Sequence, residues 1–374
     1  MPVAGVVWQT MHYLVGLARL GYEPYYVEAH ARTPTMLMQN ASDDSSAIAA
    51  EFIAGLAKRF DFRHRWAFHA LHDDGECYGM TRRQLFDLYS SAELIINMHG
   101  GTKPLPEHAQ TERLVYLETD PVQLQIELAE ENQETLEFLQ PHIAFFTFGE
   151  NYGNADCKLP VSDRFHFHAT RQPVVLDFWT PQPEVAGAAF TTIGNWRQQW
   201  RTVRLDGEVY RWSKHLEFCK FLELPARTGA SFELALGQYT PEDKQLLETN
   251  SWNVRNAPSF TMDVGAYRSY IQQSRGEFTV AKDQNVRLRS GWFSDRSATY
   301  LAAGRPVVTQ DTGFGNVLPV GEGLFAFSTI EDVAAAVDAI ASDYQQHCRL
   351  AGEVARDYFD SSKVLTQMLD AVAA

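Results

Sequence analysis

The sequence predicts an α/β protein built from two Rossmann-like domains that face each other across a cleft. A chain of 374 residues is too long for one ordinary domain and comfortable for two. Apolar runs of strand length alternate with helical patterns along the whole chain, which is typical of parallel sheets covered by helices on both faces. Residues 169–190 interrupt this alternation with three prolines and several small residues, as expected of a boundary between domains.

These patterns set the expected domain limits. We expect an N-terminal Rossmann-like domain over residues 1–170 and a C-terminal one over residues 186–352. The remaining residues, 353–374, are expected to form a helix that packs back on the N-terminal domain. The first strand of the N-terminal domain is reduced to about three residues ahead of its first helix, so either this sheet lacks its usual first strand or the start of the chain is placed too late.

Each strand and helix is predicted from its own pattern. Strands of the first half are expected in four apolar segments, "YEPYYVEA", "ELIINMHG", "RLVYLETD" and "HIAFFTFG". Helices are expected between them near residues 8–20, 45–60, 81–91 and 121–139. Strands of the second half are expected in "FTTIGN", "FELALG", "WNVRN", "EFTVAK", "RPVVTQD" and "GLFAFS". Helices there are expected to begin near residues 213, 240, 263 and 294, and from residue 329 onward.

Composition and charge restrict the possible partners and the compartment. A net charge of −15, spread along the chain, disfavours nucleic acid and anionic membrane surfaces as partners. No run of 18 apolar residues is present, so no membrane span is expected. Four cysteines without CxxC spacing indicate free thiols, and we expect a cytoplasmic protein. The sequence does not predict an oligomeric state.

The segment "SGWFSDRSATYLAAGRPVVTQDTGFG" has the features of an anion site. Ser294 is a suitable N-cap for a short helix, whose first amides are free donors at the positive end of the helix dipole. Ser297 adds a hydroxyl, Arg296 adds a positive charge, and Gly291 allows a ligand to approach the backbone. The alternative is that Ser294 and Asp295 only cap a surface helix.

Other candidate residues follow predicted strands, where open α/β sheets bind ligands. Gln310 and Asp311 can accept hydrogen bonds from sugar hydroxyls, or Asp311 can form a turn that leads into the next glycine. Lys282 ends its strand and can neutralise a phosphate, whereas Trp196 suits either the site or the core. The full set of expected donor-binding residues is Gly194, Asn195, Trp196, Lys282, Ser290, Gly291, Trp292, Ser294, Arg296, Ser297, Gln310, Asp311, Thr312 and Gly313.

The same segment resembles the donor site of GT-B glycosyltransferases. Plant-type UDP-glycosyltransferases carry a strand, "HCGWNS", a helix, "GxPV" and a strand ending in "DQ", and this chain has "SGWFSD", "AGRPVV" and "TQD" in that order. The opening "PVAGVVWQTMHYLVGLARLGYEPYYVEAH" is similar to the N-terminal motif of the same enzymes. The resemblance implies a transferase that takes a nucleoside-diphosphate sugar as co-substrate, and the strongly acidic composition favours a small soluble acceptor over a lipid-linked one.

This sequence also departs from the family. The catalytic histidine of the inverting plant-type enzymes falls on Val6, and the acidic residue that binds the nucleotide ribose falls on Thr299 or Ala298. No Glu-x7-Glu pair and no Asp-x-Asp pair are present, so we expect neither a bound metal nor another cofactor. A nucleotide-sugar epimerase of the same fold and a non-catalytic sugar-nucleotide-binding module remain alternatives.

The general base is expected at the strand ends of the first domain, opposite the donor. His99 is the leading candidate, because an imidazole has an ordinary pKa of about 6.5 and two glycines follow it. Asp120 and Glu150 end two other strands and are the remaining catalytic candidates. Asp120 also precedes a proline, so it alternatively acts only as a helix cap.

Overall fold

The computed structural model describes residues 3–29, 38, 40, 43–73, 75–198 and 201–373. It is an α/β structure with parallel sheets and helices in two halves, as the sequence predicts. The first half contains strands β1 Tyr26–Ala29, β2 Trp66–His69, β3 Cys77–Tyr78, β4 Ile95–Met98, β5 Leu114–Glu118, β6 Ala144–Thr147 and β7 Phe167–Ala169. Its helices are α1 Ala4–Arg19, α2 Ser45–Arg59, α3 Arg82–Ser91, α4 Pro106–Ala109, α5 Gln123–Ala129 and α6 Gln133–Leu139.

The first half forms two sheets rather than one. Strands β1 and β2 pair in parallel, with β3 antiparallel at the edge, and β4 to β7 form a separate four-stranded parallel sheet. Among the described residues no strand joins β1 to β4, which agrees with the shortened first strand in the sequence. The sequence missed β2, a strand of only four residues that are buried on both faces and therefore do not alternate.

The second half contains the sheet that the sequence predicts. Its strands are β8 Phe190–Asn195, β9 Val203–Leu205, β10 Glu208–Tyr210, β11 Phe232–Gly237, β12 Asn253–Asn256, β13 Gly276–Thr279, β14 Val307–Gln310 and β15 Leu324–Phe327. Six of them form a parallel sheet in the order β12-β11-β8-β13-β14-β15, the strand order of a Rossmann fold. Strands β9 and β10 form a separate antiparallel hairpin that contacts the first half at α5.

The helices of the second half cover this sheet. They are α7 His215–Phe218, α8 Leu224–Thr228, α9 Pro241–Thr249, α10 Val264–Gln273, α11 Asp283–Leu288, α12 Asp295–Ala302, α13 Ile330–Ser342, α14 Tyr344–Val354 and α15 Ser361–Ala373, with a π-turn at Ala355–Phe359. Helix α12 begins after Ser294, as expected.

Two helices connect the halves. The indole of Trp8 in α1 donates to the carbonyl of Val264 at 3.0 Å, so α1 packs against α10 of the second half. Helix α15 packs back on α1, where Leu365 lies in one hydrophobic cluster with Tyr13 and Val115. Over the described residues, no helix is both long enough and apolar enough to span a membrane.

Candidate functional site

Lys282 and Asp120 meet where the two halves face each other. The Lys282 ammonium donates to Asp120 Oδ2 at 2.6 Å, and Arg201 lies 3.9 Å from the same oxygen. Lys282 follows β13 and Asp120 follows β5, so the ends of two parallel sheets supply this ion pair. Burial lowers the pKa of Lys282, while Asp120 opposes that shift.

Lys282 and Lys214 lie among aromatic rings. The Lys282 ammonium is 3.0 Å from the ring centroid of Trp212 and 5.8 Å from that of Trp292. The Lys214 ammonium lies 5.6 Å from the Trp292 centroid, and the Arg201 guanidinium lies 4.9 Å from the Trp212 centroid. Cations over indole faces gain electrostatic stabilisation and keep donors for a ligand.

Lys214 is the cation with the fewest partners in this region. Its ammonium forms no hydrogen bond or ion pair with any described residue outside the ring contact. Burial lowers its pKa well below the ordinary value, and the positive charges of Arg296 and Lys282 lower it further. The carboxylates of Glu277 and Asp295 oppose this shift, and a bound anion would oppose it further.

His99 lies at the edge of the same cleft, on the first half. Its side chain is exposed, and its Nδ1 lies 2.5 Å from the Thr119 hydroxyl. Desolvation by the surrounding protein, with a smaller contribution from the charge of Arg201, lowers the pKa of His99 to about 4. The exposed side chain and its lowered pKa agree, because a side chain in a cleft is surrounded by protein and still open to a ligand. His99 has a φ of 60°, an uncommon conformation for a residue with a side chain.

Arg296 does not lie where the sequence places it. Its guanidinium donates to Glu277 Oε1 at 2.6 Å, to the Ile193 carbonyl at 2.5 Å and to the Thr279 hydroxyl at 3.1 Å. The Glu277 side chain is fully buried, and breaking this pair would leave its charge unpaired. In this structure the charge of Arg296 is paired with Glu277, so its expected role as a phosphate ligand stays a prediction.

The start of α12 keeps two of the expected features, the free first amides and the Ser297 hydroxyl. Ser294 caps the helix by position, but its side chain accepts no bond from the helix amides. The Ser297 hydroxyl is fully buried and has no partner among the described residues. Burial raises the pKa of Asp295, which follows the cap. The first amides of α12 thus keep the capacity to bind an anion.

Gly291 and Gly313 serve the contact between the halves. Both have left-handed φ angles, 82° and 93° respectively. A Cβ atom on Gly291 would overlap the backbone nitrogen of Asn151, and one on Gly313 would lie 2.7 Å from the Asn151 amide nitrogen. The Asn151 amide also donates to the Arg289 carbonyl at 2.8 Å. In this structure a residue of the first half, rather than a ligand, occupies the space beside both glycines.

Asp311 takes part in the same contact. Its Oδ2 accepts from Arg289 at 2.8 Å, and its Oδ1 accepts from the amide of Gly313 at 2.8 Å. Arg289 also donates to Asp156 Oδ2 at 2.7 Å. The turn-forming role that the sequence left open is the one observed, and both carboxylate oxygens of Asp311 are already used.

Three further candidates are held inside the second half. Gln310 donates to Glu217 at 2.7 Å and accepts from the amide of Ala281 at 3.2 Å. The Thr312 hydroxyl donates to the Trp292 carbonyl at 2.7 Å, and the Ser290 hydroxyl donates to Asn285 Oδ1 at 2.8 Å. The Trp292 indole reaches the first half, donating to the Thr119 carbonyl at 3.1 Å.

The end of β8 divides into open and buried positions. A Cβ atom on Gly194 would meet nothing within 4 Å, and Asn195 is exposed, so both can approach a ligand. Trp196 is 1% exposed and packs at 5.6 Å from Phe218, which identifies it as a core residue. Of its two sequence-based interpretations, the core one is observed.

Glu150 is paired inside the first half. Its Oε2 accepts from the Arg171 guanidinium, and both side chains are largely buried. Burial raises the pKa of Glu150, whereas Arg171 lowers it. A carboxylate held in this pair is a poor substitute for His99 as a base, so the structure brings only His99 and Asp120 to the cleft.

Lys214, Trp212 and Arg201 are the residues that the sequence analysis missed. All three belong to the segment around the β9–β10 hairpin, which precedes α7. The only local pattern that could have pointed to them is the Trp-x-Lys spacing in "WSK". That pattern does not predict that the β9–β10 hairpin returns the chain to the cleft. Within the described part of the chain, no group of three or more His, Cys, Asp or Glu side chains could hold a metal ion.

Comparison with known proteins identifies the fold. The structure resembles Anabaena HepE in complex with UDP and glucose, with a TM-score of 0.54 and 11% identity over 99% of this chain and 95% of that one. It also resembles an alpha-glucosyltransferase in complex with UDP-glucose and DNA, with a TM-score of 0.51 and 11% identity over 78% of this chain and 83% of that one. No family model and no curated sequence matches the chain. The chain has the GT-B glycosyltransferase fold.

Proposed function

We propose that this protein is a metal-independent glycosyltransferase that moves a sugar from a nucleoside-diphosphate sugar to a small soluble acceptor. The observation that carries the proposal is the pair of cations Lys214 and Lys282 between Trp212 and Trp292, beside the start of α12. The two solved structures of the same fold support it, since one is a complex with UDP and glucose and the other a complex with UDP-glucose.

The donor diphosphate would bind between these two cations. Lys282 is neutralised by Asp120, but Lys214 has no anionic partner at hydrogen-bond distance among the described residues. A diphosphate also accepts hydrogen bonds from the first amides of α12, and Gly194 leaves its backbone open. Lysine charges would stabilise the leaving diphosphate in place of a metal ion.

His99 is the proposed general base. With a pKa of about 4, its imidazole is neutral at every pH at which the enzyme would work. Its Nδ1 is bound to Thr119, so Nε2 is the nitrogen left to take a proton from an acceptor hydroxyl. Asp120 would hold Lys282 in place, in keeping with their 2.6 Å ion pair.

The nature of the acceptor and the compartment follow from charge and cysteine chemistry. The net charge of −15 disfavours nucleic acid and anionic lipid as acceptors, so the proposal is a small soluble one. The four cysteines are all free thiols, which supports a cytoplasmic location.

Incubation with a panel of nucleotide sugars tests the proposal. Release of free nucleoside diphosphate, with acceptors supplied, is the expected result. Conversion of the sugar without release would identify an epimerase, and binding without turnover would identify a binding module. Either result contradicts the proposed transferase, as does the absence of any binding.

Variants make the same assay specific to the site. Lys282→Met should lose donor binding, while Lys244→Met should bind like the wild type. Lys244 is a matched control, because it lies exposed on α9 and pairs only with Glu248 at 3.6 Å.

A further inference from the structure

Glu118 is a buried carboxylic acid that the proposed function does not use. It ends β5, two residues before Asp120, and is 2% exposed. Its Oε2 accepts hydrogen bonds from the Thr147 hydroxyl and from the Tyr152 hydroxyl at 3.0 Å. Its Oε1 is buried and has no partner among the described residues.

Two further side chains beside Glu118 also lack partners. Gln125 in α5 is 0% exposed, and neither its amide oxygen nor its amide nitrogen has a partner within the described chain. Asp120 Oδ1 is also buried without a hydrogen-bond partner among the described residues. Buried polar atoms are normally hydrogen-bonded, and the two N–H groups of the Gln125 amide, which also lack partners, cannot satisfy all three unpaired acceptor oxygens of this segment. A proton on Glu118 supplies a further donor.

The electrostatic surroundings favour that proton. Burial is the main reason that the pKa of Glu118 is raised to about 7. The hydrogen bonds from the Thr147 and Tyr152 hydroxyls lower this pKa, and the negative charge of Asp120 makes a smaller contribution that raises it. No described Lys, Arg or His forms an ion pair with Glu118, and the remaining titratable neighbour is Tyr116 on the same strand.

We infer that Glu118 is a positioning residue whose protonated form limits the Glu118–Asp120 pair to one negative charge, so that Lys282 stays available to the donor phosphate. This inference rests on the proposed function. Lys282 neutralises one carboxylate, since its ammonium lies 2.6 Å from Asp120 Oδ2. A second buried charge at Glu118 would compete with the phosphate for the same lysine.

The first test measures UDP binding between pH 6 and pH 8.5 in the wild type and in Glu118→Gln. Glutamine keeps the shape of the neutral acid, so Glu118→Gln should bind UDP equally well across this range. The wild type should lose about tenfold or more in affinity as Glu118 ionises, the size of one hydrogen bond to a charged group. Both proteins bind the same ligand, so the ionisation of UDP itself cancels in the comparison.

A matched control and an independent measurement complete the test. Glu233→Gln should behave as the wild type, because Glu233 lies in β11 and accepts from the Tyr270 hydroxyl at 2.8 Å, as Glu118 does from Tyr152. The pH dependence of Tm is measured in parallel, and Glu118→Gln should remove a loss of stability that the wild type shows between pH 5 and pH 7.

The outcomes separate the inference from the proposed function. An identical pH dependence of UDP affinity in Glu118→Gln and the wild type overturns the inference. If the wild type binds no UDP at any pH, the proposed function fails. In that case Tm is measured at pH 6 and pH 8.5 for Glu118→Gln, for Lys282→Met and for the double variant. An interaction between the two substitutions that grows with pH supports the inference, and an interaction that does not change with pH overturns it.

Discussion

Replacing Lys214 by Met should weaken donor binding and raise the stability of the protein at the same time. Met keeps the apolar stem beside Trp292 and removes the ammonium, which the structure places 5.6 Å from the Trp292 centroid. A hydrogen bond to a charged group contributes about 1.5–3 kcal/mol, so UDP affinity should fall roughly 10- to 150-fold. Stability should rise, because burial and the charges of Arg296 and Lys282 disfavour the Lys214 cation when no ligand is bound.

The gain in stability should depend on pH. The folded pKa of Lys214 lies below its ordinary value of 10.5, so its charge costs stability below the folded pKa. That cost disappears as the pH rises toward 10.5, where the unfolded chain also loses the proton. The advantage of Lys214→Met over the wild type should therefore shrink at high pH.

Calorimetric titration with UDP and thermal melting from pH 6 to pH 10 measure both effects. Lys244→Met serves as the control for removal of a lysine charge from the surface. Unchanged UDP affinity in Lys214→Met would refute the assignment of the phosphate site. A Tm that falls in proportion to the lost affinity would show that Lys214 is a structural residue.

Three further predictions concern the cleft and the contact between the halves. His99→Gln should keep UDP affinity and lower turnover at least 100-fold, the size of general-base catalysis. The turnover of the wild type should stay constant down to about pH 5, because the pKa of His99 is about 4. Gly291→Ala should destabilise the protein by about 2–5 kcal/mol in urea unfolding, from its left-handed φ and its overlap with Asn151. Glu150→Gln should lower Tm while turnover per folded molecule stays unchanged, because Glu150 pairs with Arg171 away from the cleft.

Each of these has an outcome that contradicts it. Wild-type turnover in His99→Gln removes His99 from the chemistry. Gly21 has a φ of 94° with nothing within 4 Å of an added Cβ, so Gly21→Ala measures the cost of the backbone conformation alone. If Gly291→Ala lowers the free energy of unfolding by no more than Gly21→Ala does, the overlap with Asn151 does not contribute. A turnover defect in Glu150→Gln at full folding would return that carboxylate to the list of catalytic candidates.

The sequence predicts the second half well because its signals are local. Strands β8, β11 and β14 are buried along most of their length, and α12 begins at the residue expected from its cap. Rules for strands and caps depend on neighbours within a few residues. The first half is harder, since β2 has four buried residues and no alternation that would distinguish it.

Side-chain roles were predicted less well, because they depend on partners that are distant in sequence. Arg296 pairs with Glu277, 19 residues away, and this pairing takes its charge away from the cleft. Asp311 and Arg289 meet across 22 residues, and Lys282 and Asp120 across 162. A sequence pattern gives the charge of a residue and its place at a strand end, but not which opposite charge the folded chain brings beside it.

The chain crosses between the two halves twice, and the crossings lie side by side. Val174 in the first crossing forms a parallel β-bridge with Asp360 in the second. The Val174 amide donates to the Phe359 carbonyl at 2.7 Å, and the Ser361 amide donates to the Val174 carbonyl at 2.9 Å. Sliding or twisting the halves would break both bonds, whereas rotation about the line between the two connections would keep them. We therefore expect any opening of the cleft to admit a donor to be a swing about this line, which the short π-helix Ala355–Phe359 adjoins.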